Sequence, residues 1–263
     1  MTSETISVPS AVETGRVDFH THILPRMDDG SKSPEESVQM VRTLFETGVR
    51  YVVLTPHFYA GSDNLERFLH RRDASYAMLT EAMAAAGDMA PLQFILGAEV
   101  EYFRGIAGMD DFSPFYLGKS RCLLLEMPMG RWTSHMVDDI LALQNRGDCR
   151  VVLAHVERYL FDQKKETIHM LLENRVVMQS NADYFLNRRT AGRAVHCLQK
   201  GYIHLLGSDC HNMITRPPNL GSACAVIEKR AGADLVQECM AHARHLLRVD
   251  THFHPRGTAA AQV

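Results

Sequence analysis

Seven short runs of strand-forming residues recur along the chain, at about 16–20, 50–55, 92–98, 121–126, 150–155, 175–180 and 202–207. Several are apolar at consecutive positions rather than alternating. That pattern suits parallel strands covered on both faces. The segments between them mostly carry helical spacing with start and stop signals. Ser33, Pro34 and Glu36 form a capping box with proline at the first helical position. Val38, Val41, Leu44 and Phe45 then make one apolar stripe that ends at Gly48. Further helices are predicted over about 64–86, around 136–141 before Gly147, around 191–198 before Gly201, and near 221–231 and 234–248. The stretch 104–118, rich in Gly, Asp and Pro, predicts an irregular crossover. Strand and helix alternating seven times predict an α/β fold built as a parallel barrel, with its active site at the C-terminal ends of the strands.

Those strand ends carry the chemistry. His20 and His22 close the first run as His-x-His, a spacing that turns both imidazoles to the same side of an extended chain. His57 follows the second run, Glu99 closes the third, Glu126 the fourth and His155 the fifth, while Asp209 and His211 follow the seventh. Only the sixth run, ending at Gln179, Ser180 and Asn181, brings no obvious ligand. Any one such residue has about even odds of a structural role, as a helix cap or a bond to a backbone carbonyl. Eight at the same rim position predict a metal centre instead. A set of imidazoles and carboxylates without thiolate suits Mn, Fe, Zn, Co or Mg, and eight donors accommodate two to three ions. The second His-x-His, His252 and His254, precedes a small polar tail and reads as solvated.

The remaining composition narrows the setting. The chain has 263 residues, 46% hydrophobic and 22% charged, enough for one sizeable core. A formal net charge of −3 without a dense basic run argues against a nucleic-acid partner. Residues 1–15 lack the basic and apolar regions of a secretory signal, and no apolar run is long enough to cross a bilayer, so no membrane insertion and a cytoplasmic location are expected. The six cysteines show no Cys-x-x-Cys pair and read as reduced, mostly buried thiols. Cys210 and Arg216 match the Cys-x5-Arg pattern of thiol-dependent tyrosine phosphatases, but the intervening residues include no glycine for a phosphate-cradling turn. Cys210 is therefore read as a bystander.

Taken in order, Asp18-Phe19-His20-Thr21-His22, Thr55-Pro56-His57, Gly97-Ala98-Glu99, Leu124-Leu125-Glu126, Ala154-His155-Val156-Glu157-Arg158-Tyr159 and Ser208-Asp209-Cys210-His211 resemble the polymerase and histidinol phosphatase (PHP) superfamily. Within it, the stretches from His22 to Ser37 and from Asn212 to Leu220 are similar to the bacterial manganese-dependent tyrosine phosphatases of capsule and exopolysaccharide operons. The resemblance implies a distorted parallel (β/α)7 barrel, a trinuclear site with manganese as the expected ion, protein-tyrosine phosphatase activity, and the tail of a tyrosine autokinase as partner. It carries the metal ligands over to His20, His22, His57, Glu99, Glu126, His155, Asp209 and His211, and the substrate-binding arginines to Arg158 and Arg216. It divides the chain into an extension at 1–15, a phosphatase domain at 16–250 and a flexible tail at 251–263. Val156 and Thr21 depart from residues common in that family, and neither departure removes a ligand. Asp28 and Asp29 add an acidic pair, either of which can join the site.

The expected chemistry is direct in-line attack on phosphorus by hydroxide generated at a metal, with no phosphoenzyme. Aromatic residues beside the ligands, Phe58, Tyr59, Tyr102, Phe103 and Tyr159, offer a rim on which a phosphotyrosine ring could stack. A histidinol-phosphate phosphatase would share every ligand. A barrel amidohydrolase also opens with His-x-His, but Glu126 and the pairing of Asp209 with His211 argue against it. A non-catalytic PHP binding module is the remaining alternative, and the intact ligand set disfavours it.

Overall fold

The computed structural model describes residues 15–87 and 92–249. Most of the N-terminal extension and the tail, including His252 and His254, lies outside the described residues.

The chain opens with β1 (Arg16–Thr21), α1 (Pro34–Glu46), β2 (Val49–Leu54), β3 (His57–Phe58) and α2 (Leu65–Ala86). It continues through β4 (Gln93–Leu96), β5 (Glu99–Glu101), β6 (Cys122–Glu126), α3 (Ser134–Asn145), β7 (Arg150–Leu153) and α4 (Lys165–Glu173). The last third holds β8 (Val177–Asn181), α5 (Asp183–Leu186), α6 (Ala191–Gln199), β9 (Leu205–Gly207), α7 (Leu220–Ala231) and α8 (Ala233–Leu246). The segment 104–118 holds only two short 3-10 turns, Ile106–Gly108 and Ser113–Phe115, so the irregular crossover is as predicted. Ser33 caps α1 by accepting from the Glu36 amide at 3.3 Å.

Every strand pair is parallel, in the orders β1-β2-β4 and β3-β5-β6-β7-β8-β9. One run gains a short strand beyond its end and another is split. After the second run comes Thr55-Pro56, where proline offers no amide to a ladder, and then β3. The third divides at Gly97-Ala98, so Glu99 begins β5 rather than ending a strand. At Gly97 the Leu117 side chain occupies the space a Cβ would need, its Cδ2 only 2.4 Å from that position. The far edge curls back to the start: Thr21 bridges Cys210, and the Asp209 amide donates to the His20 carbonyl at 2.8 Å.

Gly207 makes that return possible. A Cβ there would stand 2.5 Å from His20 Cβ and 2.9 Å from the His20 nitrogen. Strand residues such as Val17, Phe19, Val52, Leu124, Val152 and Leu205 are wholly buried, and helix residues such as Met40, Val41, Leu44 and Ile227 cover them. Dense packing of this kind fixes the backbone of each strand end, and with it the direction of the side chains described next.

Candidate metal centre

All eight predicted residues converge on one end of the sheets. His20 and His22 bring their Nε2 atoms to 3.0 Å from each other. Glu99 lies at the middle, fully buried: Oε2 is 3.2 Å from His20 Nε2, 3.4 Å from His22 Nε2 and 3.0 Å from His57 Nδ1, and Oε1 is 2.6 Å from His155 Nε2. Glu126 Oε1 approaches His155 Nε2 at 3.2 Å. Asp209 Oδ1 is 3.4 Å from His22 Nε2 and 3.6 Å from His20 Nε2. His211 faces His57 across Asp29, whose Oδ1 is 3.3 Å from His211 Nε2 and 3.4 Å from His57 Nε2.

These atoms form four overlapping groups: His22, Asp29, His57 and His211; His20, His155 and Asp209; His20, His22 and Glu99; and His57, Glu99 and Glu126. Within each group the donor atoms lie within 4.8 Å of one another. Several of these polar atoms approach one another without hydrogen-bond geometry. Both oxygens of Glu99, Asp209 Oδ1, His155 Nε2 and His211 Nε2 are buried without a hydrogen-bond partner. Leaving one such group unpaired costs about 1–3 kcal/mol, and more if it is charged. Convergent lone pairs with nothing to accept from are the arrangement a divalent cation satisfies.

A second layer turns the rings. His22 Nδ1 meets Asp28 Oδ2 at 2.8 Å, His20 Nδ1 meets Gln179 Oε1 at 3.2 Å, and His155 Nδ1 meets Asn181 Oδ1 at 3.3 Å. His211 Nδ1 lies 2.9 Å from the Asp209 carbonyl. In all four the engaged Nδ1 leaves Nε2 directed at the cluster. Asp28 also accepts from the amides of Gly30 and His57, at 2.9 and 3.1 Å. A Cβ on Gly30 would sit 2.1 Å from the His22 carbonyl oxygen, so only glycine lets this loop fold over His22. The acidic pair thus divides: Asp28 orients a histidine, and Asp29 offers its carboxylate to the cluster. Strand β8, which brings no donor, brings Gln179 and Asn181 instead.

The electrostatics are those of opposed charges held close. Burial opposes ionisation of Glu99 and Asp209, but His20 and the neighbouring histidines outweigh it and hold both carboxyls well below their usual range. Burial likewise works against charging His155, yet Glu99, Glu126 and Asp209 lift it to about 10. His22 is raised well above its usual value, with Asp28, Asp209 and Glu99 overcoming burial. His211 goes the other way, to about 4, through burial and the charges of His22 and Arg216. Asp18, beneath the site, is pushed by burial to about 7 and accepts from the Ser208 amide at 2.7 Å. Two donors also sit on backbone that L-residues seldom adopt: His155 has φ 40° and Asp209 φ 53°.

The two predicted arginines meet at the same carboxylate. Arg216 donates to Asp209 Oδ2 at 2.5 Å, and Arg158 donates to it at 3.3 Å and to Glu126 Oε1 at 3.1 Å. Both line a cavity of about 320 Å³ beside the cluster, together with Asn181, Tyr184, Asn187 and Thr190. Cys210 is fully buried, and burial pushes its thiol well above the usual range. All six cysteines are free and buried.

The aromatic rim is a correction. Phe58 is buried against Phe68 and Phe115, and Tyr159 is buried with its hydroxyl donating to the Ala154 carbonyl. Tyr102 spends its hydroxyl on Asp139 at 2.6 Å. Only Tyr59, stacked on His57 at 5.1 Å, remains among the exposed large hydrophobic residues.

The family model for capsular polysaccharide synthesis, CpsB/CapC, matches residues 16–248. The chain belongs to the CpsB/CapC family. It is 27% identical over 241 residues to the tyrosine-protein phosphatase CpsB of Streptococcus pneumoniae, covering 84% of this chain and 93% of that one. It is 27% identical over 243 residues to the tyrosine-protein phosphatase YwqE of Bacillus subtilis (strain 168), covering 90% and 93%. Crystal structures of YwqE and CpsB, described as unique metal-dependent tyrosine phosphatases, superpose with a TM-score of 0.75 at 24% identity, covering 94% of this chain and 100% of that chain. A phosphotriesterase homology protein from Escherichia coli shares the fold more distantly, with a TM-score of 0.53 and 10% identity over 89% of this chain and 99% of that one. This CpsB/CapC chain is therefore a mixed α/β protein with curled parallel sheets, and no helix among its described residues is long and apolar enough to cross a membrane.

Proposed function

We propose that this protein is a metal-dependent protein-tyrosine phosphatase of the cytoplasm, acting on phosphotyrosine in the tail of a tyrosine autokinase that controls capsule or exopolysaccharide synthesis. Residues 16–250 form its one phosphatase domain. If β2 with β3, and β4 with β5, are each taken as one interrupted strand, the sheets read as a distorted (β/α)7 barrel. The observation that carries the activity is the set of buried donors without hydrogen-bond partners beside two arginines that converge on Asp209.

The donor set fits two to three divalent ions, with manganese the expected one. His20, His22, His57, Glu99, Glu126, His155, Asp209 and His211 hold them, and Asp29 joins as a ninth donor. Bound there, such ions supply Lewis acidity toward phosphoryl oxygens and a water acidic enough to attack near neutral pH. The chain's own contribution is placement. Asp28, Gln179 and Asn181 keep the imidazoles in one tautomer and orientation, which preserves the donor geometry. Arg158 and Arg216 bind the remaining phosphoryl oxygens through paired N–H donors. Cys210 takes no part.

The test is metal analysis joined to a phosphate-release assay. Purified protein loaded with manganese is offered a phosphotyrosine peptide, a phosphoserine peptide and histidinol phosphate. The expected order places the phosphotyrosine peptide first in kcat/KM, with activity abolished by chelation and restored by manganese. Full activity in metal-free protein would refute the metal reading. A wide preference for histidinol phosphate would refute the substrate.

A further inference from the structure

The cavity beside Arg158 and Arg216 extends away from the metal cluster toward Tyr184, Asn187 and Thr190. Its volume, about 320 Å³, lies at the low end of the roughly 300–1,000 Å³ usual for small-molecule sites, a fit for one side chain rather than a large cofactor. Tyr184 is 9% exposed, and its buried hydroxyl has the Arg193 guanidinium, itself a donor, close to it. A buried hydroxyl on a cavity wall is a donor awaiting an acceptor.

The segment that carries the lining residues Asn187 and Thr190 is basic. Arg188 and Arg189 stand between the lining residues Asn187 and Thr190, and Arg193 follows in the first turn of α6; all three are exposed. Among the described residues none of the three has a carboxylate within ion-pair distance, and Arg193 lies over the exposed Phe161 ring at 5.0 Å. The first turn of α6 carries no acidic side chain. Three carboxylates also line the cavity, and each is engaged: Asp183 accepts from Asn219 Nδ2 at 2.5 Å, Glu157 accepts from the Asn181 amide at 3.2 Å, and Asp209 accepts from Arg158 and Arg216. Arg158 and Arg216 together with these three arginines outnumber the carboxylates of Glu157, Asp183 and Asp209, so on a chain of net charge −3 this region is locally positive.

We propose that this cavity and the basic segment beside it receive an anionic side chain of the substrate polypeptide next to the phosphotyrosine. The anion is either the carboxylate of an acidic residue or the phosphate of a second phosphotyrosine. This rests on the phosphotyrosine reading above and adds to it a preference for sequence context. Arg158 and Arg216 hold the phosphate being cleaved, Arg188, Arg189 and Arg193 hold its neighbour, and Tyr184 donates to that neighbour from the wall.

The experiment uses the manganese-loaded protein and five substrates: p-nitrophenyl phosphate, histidinol phosphate and three phosphotyrosine peptides. One peptide has neutral flanks, one has acidic flanks and one carries two adjacent phosphotyrosines. The wild type should prefer the acidic or doubly phosphorylated peptide to the neutral one by about three- to tenfold, through KM, as expected for a few exposed charge contacts. The advantage should shrink as salt rises. The double substitution Arg188→Ala/Arg189→Ala, at exposed positions, should bring the peptides to parity without changing turnover of p-nitrophenyl phosphate. Tyr184→Phe should raise KM for the preferred peptide while the neutral one is unaffected. Whichever of the two anionic peptides is preferred identifies the source of the anion. Equal kcat/KM for all three peptides in the wild type, or a preference that survives in the double variant, would overturn the proposal. Failure to hydrolyse any phosphotyrosine peptide faster than histidinol phosphate would overturn the underlying activity instead.

Discussion

Glu99→Gln keeps the shape of a side chain shared by four histidines of the cluster and removes its charge. The two Glu99 oxygens lie between 2.6 and 3.4 Å from nitrogen atoms of four histidines. Glu99 also belongs to two of the four donor groups, so the variant should bind at least one ion fewer and lose phosphatase activity. Its effect on the metal-free protein can be worked out. Burial alone would lower His155, but Glu99, with Glu126 and Asp209, raises it from 6.5 to about 10. At about 1.4 kcal/mol per tenfold, that rise amounts to about 5 kcal/mol of stabilisation of the charged ring. A raised histidine contributes fully below pH 6.5 and loses its contribution as pH climbs through about 10. Glu99 is the largest of the acids acting on it, so Glu99→Gln, which also relieves the burial of a carboxylate, should cost on the order of 1 kcal/mol or more at pH 6 and less at pH 9.5. Urea denaturation of chelator-treated protein at both pH values measures this, and metal analysis after manganese loading measures the rest. Unchanged metal content together with an unchanged pH profile of stability would refute the reasoning.

Arg158→Ala and Arg216→Ala should each lower kcat/KM by about a hundredfold or more while manganese stoichiometry stays at the wild-type value; loss of metal in either would reassign that arginine to holding the ligands. Cys210→Ser should retain most turnover, and chelators should inhibit it as they do the wild type; a trapped phosphocysteine on Cys210 would contradict this. Gly207→Ala forces a Cβ to within 2.5 Å of His20 Cβ, so it should lower stability by about 1–3 kcal/mol and reduce metal content, whereas wild-type thermal stability in the variant would show that β9 does not depend on that close approach.

The convergence of the eight side chains was legible because its signal is positional. Each of the eight stands at or just past the end of an apolar run, and a parallel sheet brings such ends to one side whatever the details of twist. The residues that aim them were not legible. Gln179 and Asn181 are neutral and end a strand that brings no ligand, and nothing in an amide side chain announces that it will reach His20 or His155 on a neighbouring strand. Choosing between Asp28 and Asp29 required the loop geometry, since Asp28 turns back to His22 under a glycine while Asp29 stays 65% exposed and faces His57 and His211. The aromatic rim failed for a physical reason: Phe58 packs into the core against Phe68 and Phe115, and Tyr159 packs against Trp132, where their apolar rings leave water. The split of the third strand was hidden because Leu92, Phe94, Ile95, Leu96 and Ala98 read as one apolar run. What breaks it is the approach of Leu117 to Gly97, from twenty residues further on.

Among the described residues, His155 and Asp209 are two of the five non-glycine residues at positive φ, and both belong to the donor cluster. Such backbone costs on the order of 1 kcal/mol or more per residue and persists only where surrounding contacts over-determine it. Those contacts are present. The Asp209 amide donates to His20, the Arg158 amide donates to the His155 carbonyl, and the His155 amide donates to Gln179 at 3.0 Å. The conformation has a use, because a strand continuing straight past either residue would keep alternating its side chains between the two faces of the sheet. A left-handed turn instead lets the last residue point across the end of the sheet, toward donors from other strands. The same contacts hold unpaired oxygens and nitrogens together against their own desolvation. Ions that bind only this folded arrangement would return that free energy as stability, so the residues least favourable to the metal-free fold are the ones through which metal binding should stabilise it most.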